Sequence, residues 1–230
     1  MPTAGKINRP PIFYSEAMEF LGRIVNLRSE SFPLPDLDLS VALQTTKLAF
    51  GFNAIEAKDD TGDERRFGAM LSIKQYVDMP VAAVDCVLQA PLEFVISQSF
   101  SFVPSEHALK HCTAQKKLFS ISGDIKSNGS FGIDQMVNAD QGNLVDFVEH
   151  QTSVMVIVDD LRKLDSDVGR FLDGFAKLGL VTVREEIFME ECFWAQLPGN
   201  FEFIRRRAIL CTEQIAGFCR FNRYYTSGVS

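Results

Sequence analysis

The sequence predicts an α+β fold built around an antiparallel sheet. Three observations lead to this prediction: several short segments alternate apolar and polar residues, one long segment repeats apolar residues at helical spacing, and the two kinds of segment interchange along the chain. The 230 residues allow one large domain or two small ones. Hydrophobic residues make up 46% of the chain and charged residues 23%, a balance that excludes disorder for its bulk.

The first elements are a tail over residues 1–12 and a short helix over residues 15–28, for which Ser15 is a suitable N-cap. Pro33 and Pro35 end this helix and enforce an extended connector, because proline restricts both itself and the residue before it.

Two strands are predicted next, over residues 47–57 and 65–76, with a turn at residues 59–62 between them. The first strand places three apolar side chains on one face, namely Leu48, Phe50 and Phe52. The turn and the alternation together predict a β-hairpin.

The middle of the chain predicts a short helix that starts at Pro80 and ends at Pro91, followed by the clearest strand, over residues 94–103. One face of that strand carries Phe94, Ile96, Phe100 and Phe102, and the other carries Ser97, Ser99 and Ser101. Residues 105–150 are predicted to be mostly helical, with a glycine-rich stretch at 123–132 and a second helix over about 134–149.

The last third begins with an apolar run at residues 154–158, which indicates a central strand buried on both faces. Asp159 and Asp160 follow this strand, and paired carboxylates at a strand end can hold Mg²⁺. Because they directly precede a long amphipathic helix from Leu161, we favour an N-cap role, and Gly179 is the expected C′ residue of that helix. A further strand over residues 180–184 and a short helix over 189–196 follow.

From residue 65 to 184 the predicted elements therefore run β-α-β, a helical insertion, then β-α-β. A ferredoxin-like split β-α-β sheet is the simplest packing of that order, with a preceding β-hairpin and a helical-hairpin insertion. We divide the chain into a tail, helix and connector (1–44), a ferredoxin-like domain (45–188, insertion about 105–150) and a C-terminal helix, corner and basic connector (189–230).

The charge distribution restricts the function classes. The whole chain carries −7, which argues against a broadly basic nucleic-acid binder. From residue 201 on, however, five arginines face two glutamates and aromatic residues are interleaved; the arginines are Arg205, Arg206, Arg207, Arg220 and Arg223. Such a stretch can hold single-stranded nucleic acid by stacking and charge. The alternative, which we favour, is a segment whose arginines pair with carboxylates such as Glu190 or Glu191, or that docks onto a partner.

Catalytic and metal-binding patterns are weak. Neither GxxxxGK[ST] nor GxGxxG occurs, and no nucleophile and base can be located, so we expect no catalytic residues and no cofactor site in this chain. His107 and His111 could share a helix face near Cys112, but no third ligand is assignable, so packed or solvated side chains are the favoured interpretation.

The five cysteines include no CxxC pair and are expected to be reduced. The longest uncharged stretch, residues 94–105, is too short to span a membrane.

A family resemblance emerges from four stretches in order. The segment from Phe193 to Phe201 resembles the FWxQLPGN motif of the CagE/TrbE/VirB family, the large ATPases of bacterial type IV secretion and conjugation systems. The other three similar stretches are RFGAMLSIK at 66–74, EFVISQSF at 93–100 and GLVTVREE at 179–186. The motif residues are Trp194, Gln196, Leu197, Pro198, Gly199 and Asn200. The similarity spans roughly residues 45–222.

The resemblance implies a role. Members of the family continue into a RecA-like ATPase domain, so the chain resembles the N-terminal part of such an ATPase, and ATP and Mg²⁺ are implied only for that further domain. In the family, the N-terminal part is taken to bind inner-membrane components of the secretion channel. The implied partners are therefore those components, scaffold proteins and other copies of the ATPase, at the cytoplasmic face of the bacterial inner membrane. We interpret Leu197–Asn200 as a structural corner that leads into the next domain, not as a catalytic loop, and expect Trp194 to pack against the sheet.

Overall fold

The computed structural model describes residues 13–34, 38–77, 84–122 and 146–218. Its helices are α1 (Glu16–Asn26), α2 (Leu39–Ala42), α3 (Asp85–Leu88), α4 (Ser105–Ser122), α5 (Leu161–Lys177), α6 (Met189–Trp194) and α7 (Thr212–Ala216). Its strands are β1 (Lys47–Phe50), β2 (Ile55–Lys58), β3 (Arg65–Gln75), β4 (Glu93–Val103), β5 (Phe147–Val158), β6 (Val181–Arg184) and β7 (Ala208–Cys211). These elements confirm the predicted α+β class.

All of these strands belong to one antiparallel sheet. The main path runs β1-β2-β3-β5-β4. β2 and β6 lie on the same side of β3, where β2 pairs with its first half and β6 with its second half. β7 pairs with the first half of β5. The four strands of the predicted β-α-β repeat therefore lie in the order β6-β3-β5-β4. β7 lies within the stretch predicted as a basic connector, and it adds to the same sheet.

The predicted strand over residues 47–57 was wrong as a single element. It is two short strands, β1 and β2, which pair with each other around a turn closed by a 2.9 Å hydrogen bond from Gly51 N to Ala54 O. Phe52 lies in that turn and is 70% exposed, instead of continuing the apolar face of a strand. The predicted hairpin is confirmed for β2 and β3, which pair around the turn with Gly62 at φ +81°.

The second predicted insertion helix, over about 134–149, was wrong at its end. Residues 147–149 are the first residues of β5, which pairs with β4 along eleven residue pairs. The apolar Phe147 and Val148 are buried, and they extend the central strand instead of a helix face. The glycine-rich stretch and residues 134–145 lie outside the described residues, so the helical hairpin stays a prediction beyond α4.

Three predicted helix-end signals are confirmed. The Ser15 hydroxyl accepts a hydrogen bond from Met18 N at 3.4 Å, and the Asp160 carboxylate accepts one from Arg162 N at 3.0 Å. Both bonds satisfy backbone donors that a helix N-terminus leaves without partners. Gly179 adopts φ +81° directly after α5, a left-handed conformation that favours glycine.

The core lies on both faces of the sheet. On one face α5 packs against alternate residues of β3 and β5, with Phe171 and Phe175 among the largest buried side chains. On the other face α1 and α6 pack against the intervening residues, including Met70 and Met155. Because β5 is covered on both sides, residues 154–158 are all buried, which confirms the predicted central strand. We call these the α5 face and the α6 face.

Candidate functional site

The family motif residues lie at the end of α6, on the α6 face of the sheet. Phe193 is fully buried there, and the Trp194 ring packs against Phe193 and Phe50 with centroid separations of 5.0 and 6.2 Å. Apolar packing against β1 therefore fixes the end of α6. Aromatic pairs in such tilted and edge-to-face geometry add stability beyond the area that they bury.

Gln196 connects this corner to the sheet. Its buried amide donates to Phe193 O at 3.2 Å and lies 3.6 and 3.7 Å from the sulfur atoms of Met70 and Met155. Its side-chain oxygen accepts a hydrogen bond from the Ser97 hydroxyl at 3.5 Å. One side chain thus contacts three neighbouring strands of the sheet, β3, β5 and β4.

The chain reverses direction after Gln196. Gly199 adopts φ +93°, and the Asn200 amide donates back to Trp194 O at 3.1 Å. A residue with a Cβ atom would be strained at that φ, so glycine suits the position. These hydrogen bonds of Gln196 and Asn200 close within the chain.

The three described arginines of the C-terminal stretch each pair with a carboxylate. Arg205 lies 3.5 Å from Glu191, Arg207 lies 3.2 Å from Glu149, and Arg206 forms two hydrogen bonds with Glu185. Their charges are therefore compensated within the chain, and the nucleic-acid alternative is not supported. Arg220 and Arg223 lie outside the described residues.

The Arg206–Glu185 pair is the most buried of these ion pairs. Glu185 is only 2% exposed, and its side chain accepts from Arg206 Nε and, at 3.0 Å, from Arg206 Nη2. Hydrogen bonding to Glu185 raises the pKa of Arg206 above its ordinary value. The neighbouring Cys192 thiol is buried, which raises its pKa to about 11 and makes it a poor nucleophile at neutral pH.

A groove runs between β4 and the chain that follows the motif. It consists of two adjoining hollows of about 250 and 340 Å³. Both hollows are lined by Ser99 and by Phe201, whose ring is 65% exposed. We call this feature the serine groove, and its principal lining residues are Ser97, Ser99, Ser101, Pro198, Phe201 and Ile204.

The serine groove was not predicted. The alternating serines of β4 were visible in the sequence, and so was the LPGN corner, but no local signal indicates that the fold brings them together on the α6 face. Ser97 and Gln196 are hydrogen-bonded although 99 positions separate them. The only sequence signal is a row of small hydroxyl side chains on an otherwise aromatic strand.

The other candidate residues lie at the start of α5 or on α4. Asp160 caps α5, and its hydrogen bonds to Arg162 hold its pKa at about 2, while Asp159 lies 2.9 Å from Lys163. His107 and His111 lie on α4, and the described part of the chain contains no cluster of three or more metal-ligating side chains. Among the same residues no helix is long and apolar enough to cross a membrane.

Comparison with known proteins gives the same family as the motif. The sequence pattern of the CagE, TrbE, VirB family, component of type IV transporter system, matches residues 5–206. The chain is 28% identical to the type IV secretion system protein virB4 of Bartonella quintana and 26% identical to protein virB4 of Rhizobium radiobacter, over 93% of its length and 27% of each relative. It is 24% identical to the PtlC homolog of Bordetella bronchiseptica, over 92% of the chain and 26% of the relative.

The chain thus spans about a quarter of the length of these curated relatives. The matched region includes both sides of the serine groove, from β4 through the corner to Arg206. The chain belongs to the CagE/TrbE/VirB family of type IV secretion system proteins.

Proposed function

We propose that this chain is a non-catalytic interaction domain that docks a type IV secretion ATPase onto inner-membrane components of the secretion channel. It would act at the cytoplasmic face of the bacterial inner membrane and serve the translocation of protein or DNA. The observation that carries the proposal is the serine groove, an open concave surface built in part from the family motif itself.

The groove has the composition of a protein-binding surface. Its floor contains small hydroxyl side chains, which leave room for larger side chains of a partner, and its wall carries the exposed Phe201 ring and Ile204. The charged residues at its end, Glu149 and Arg207, are paired with each other. Aromatic residues are enriched at protein–protein interfaces relative to the rest of the surface.

Co-purification tests the proposal. The 230-residue chain, carrying an affinity tag, is mixed with detergent-solubilised inner-membrane components and scaffold proteins from its own secretion operon. We expect capture by the unchanged chain and about tenfold weaker capture by Phe201→Asp, because a charge is placed on the apolar wall of the groove. Phe52→Asp is the matched control, since Phe52 is similarly exposed in the β1–β2 turn, at 70% against 65% for Phe201.

Two results would contradict the proposal. One is no capture of any channel component by a chain whose circular dichroism and unfolding transition show that it is folded. The other is equal capture by Phe201→Asp and the unchanged chain, which would place the contact elsewhere.

Two further features belong to the same proposal. The β6-β3-β5-β4 order with α5 on one face supports a ferredoxin-like arrangement for residues 45–188. We also propose that the ATPase activity of the whole protein, with ATP and Mg²⁺, lies in a further domain, and background ATP turnover by the 230-residue chain alone is the expected result.

A further inference from the structure

The serine groove has almost no charge along its lining. Among the described residues that line it, only Glu149 and Arg207 are charged at neutral pH, and both line the smaller hollow. They lie 3.2 Å apart, and Arg207 also donates a hydrogen bond to Phe201 O at 3.0 Å. Both charges are therefore compensated within the chain, and the described lining of the larger hollow is uncharged throughout.

The larger hollow also contains buried amide side chains, which are neutral and hydrogen-bonded. Gln151 is 5% exposed and accepts a hydrogen bond from Arg206 N at 2.9 Å, and Gln196 is 7% exposed and donates to Phe193 O. A charged side chain that entered the groove would lose water and would meet no unpaired opposite charge among the described lining residues. Burial of a charge without a partner is strongly unfavourable, so the groove discriminates against charged occupants.

Ser99 lies where the two hollows meet. It lines both of them, as do Phe201 and Ile204 on the wall. A serine hydroxyl can donate and accept hydrogen bonds without carrying a charge. A cavity of about 150 Å³ can already hold a benzene molecule, so hollows of about 250 and 340 Å³ each have room for one bulky apolar side chain.

We propose that the serine groove binds an uncharged segment of the docking partner and takes one bulky apolar side chain into each hollow, on either side of Ser99. This inference rests on the proposed docking function and adds the chemistry of the segment that docks. Phe201 and Ile204 supply apolar contact, and Ser99 supplies hydrogen bonds to neutral groups of the partner. Charged segments are rejected because the groove offers them no compensating charge.

Three small probes of similar size and different charge test this selectivity on the 230-residue chain alone. They are benzamide, benzoate and benzylammonium, which are neutral, negative and positive at neutral pH, and their binding is followed by NMR of the backbone amides. We expect benzamide to shift the signals of residues 97–101 and 195–204, with a dissociation constant on the order of 10 mM for so small a ligand. Each charged probe should bind at least about fivefold more weakly. Equal or tighter binding of a charged probe, or no shift of these signals with benzamide at about 50 mM, would overturn the inference.

A charge placed on the groove floor should change the selectivity in a predictable direction. Ser99→Asp should favour benzylammonium over benzoate by about tenfold, and Ser99→Lys should do the reverse. Ser166→Asp is the matched control, because Ser166 is an exposed serine of α5 on the other face of the sheet, and it should keep the ranking of the unchanged chain. The same ranking in both Ser99 variants as in the unchanged chain would show that the probes bind elsewhere, and would overturn the inference.

The salt dependence of capture separates this inference from the docking proposal. Capture of channel components by the unchanged chain should vary by less than about twofold between about 50 and 500 mM NaCl, because salt does not screen an uncharged contact. A loss of more than about tenfold over this range would overturn the inference and leave docking at the groove in place. Equal capture by Phe201→Asp would instead contradict docking at the groove itself.

Discussion

The two faces of the sheet are stabilised in different ways. On the α5 face, apolar side chains fill the space between helix and strands, and Phe171 contacts Phe94 with ring centroids 4.8 Å apart. On the α6 face, apolar packing at Phe193 is joined by polar contacts, from Gln196 to three strands and from Arg206 to Glu185. Apolar packing covers the sheet on the α5 face. On the α6 face the polar contacts connect the corner to the strands, and the serine groove stays open beside them.

The largest effect should come from the α5 face. Phe171→Ala is expected to lower the free energy of unfolding by about 4 kcal/mol, because it removes a fully buried ring and leaves a cavity. Urea unfolding followed by circular dichroism measures the change. Leu161→Ala on the same helix is the control, since Leu161 is half exposed and its loss should cost less than about 0.5 kcal/mol. Equal losses would contradict the assignment of the core.

The same face contains a pH-sensitive group. Burial lowers the pKa of His150 to about 4, and its ring lies against Tyr76 and Phe218 with centroid separations of 5.5 and 4.9 Å. The unfolded histidine, with a pKa near 6.5, binds a proton more readily than the folded one. Stability should therefore be complete above about pH 6.5 and fall by up to about 3 kcal/mol as the pH approaches 4.

Replacement of the imidazole isolates this contribution. His150→Phe keeps an aromatic ring among its aromatic neighbours and cannot take up a proton. Urea midpoints measured between about pH 7 and pH 4.5 should fall less for this variant than for the unchanged chain. Parallel slopes would show that His150 is not the group responsible.

An intermediate effect is expected on the α6 face. Arg206→Met leaves the carboxylate of Glu185 buried without its partner, which should cost about 2 kcal/mol of unfolding free energy. Arg207→Ala breaks an exposed pair with Glu149 and should cost less than about 1 kcal/mol. Thermal unfolding of the two variants compares them directly, and a larger loss for Arg207→Ala would reverse this ranking.

The smallest of these effects concerns the motif glutamine. Gln196→Leu keeps most of the side-chain volume but removes the hydrogen bonds to Phe193 O and Ser97, for an expected loss of about 1 kcal/mol. Asn200→Ala removes the hydrogen bond to Trp194 O and so tests the second polar contact of the corner. If Gln196→Leu were as destabilising as Phe171→Ala, the corner would belong to the core and not to a partly open face.

Sequence reasoning was successful where local pattern decides the structure. The apolar run at 154–158 and the apolar stripe of α5 predicted two buried elements correctly. A strand buried on both faces gives a continuous apolar run, whereas a helix buried on one face repeats apolar residues every three to four positions. It failed where the periods coincide over a few residues. Phe147 and Val148 fit the end of a helix as well as the start of a strand, and Phe52 continued an alternation that Gly51 interrupts.

The site depends on contacts that no local pattern encodes. The pairing of Arg205 with Glu191 was among the alternatives considered, because both lie near the corner in sequence. The pairing of Arg206 with Glu185 and the groove between β4 and the corner depend on which elements the fold brings together. The division of the chain into three parts and the roles of the motif residues stay predictions.

Hydrogen exchange tests the central claim most directly. Deuterium uptake of the 230-residue chain is compared with and without the channel components that it captures. Docking at the serine groove predicts slowed exchange in residues 97–101 and 195–204, with α5 unchanged. Slowed exchange confined to α5, or no slowed exchange at either groove segment despite capture, would contradict the claim that the α6 face is the docking surface.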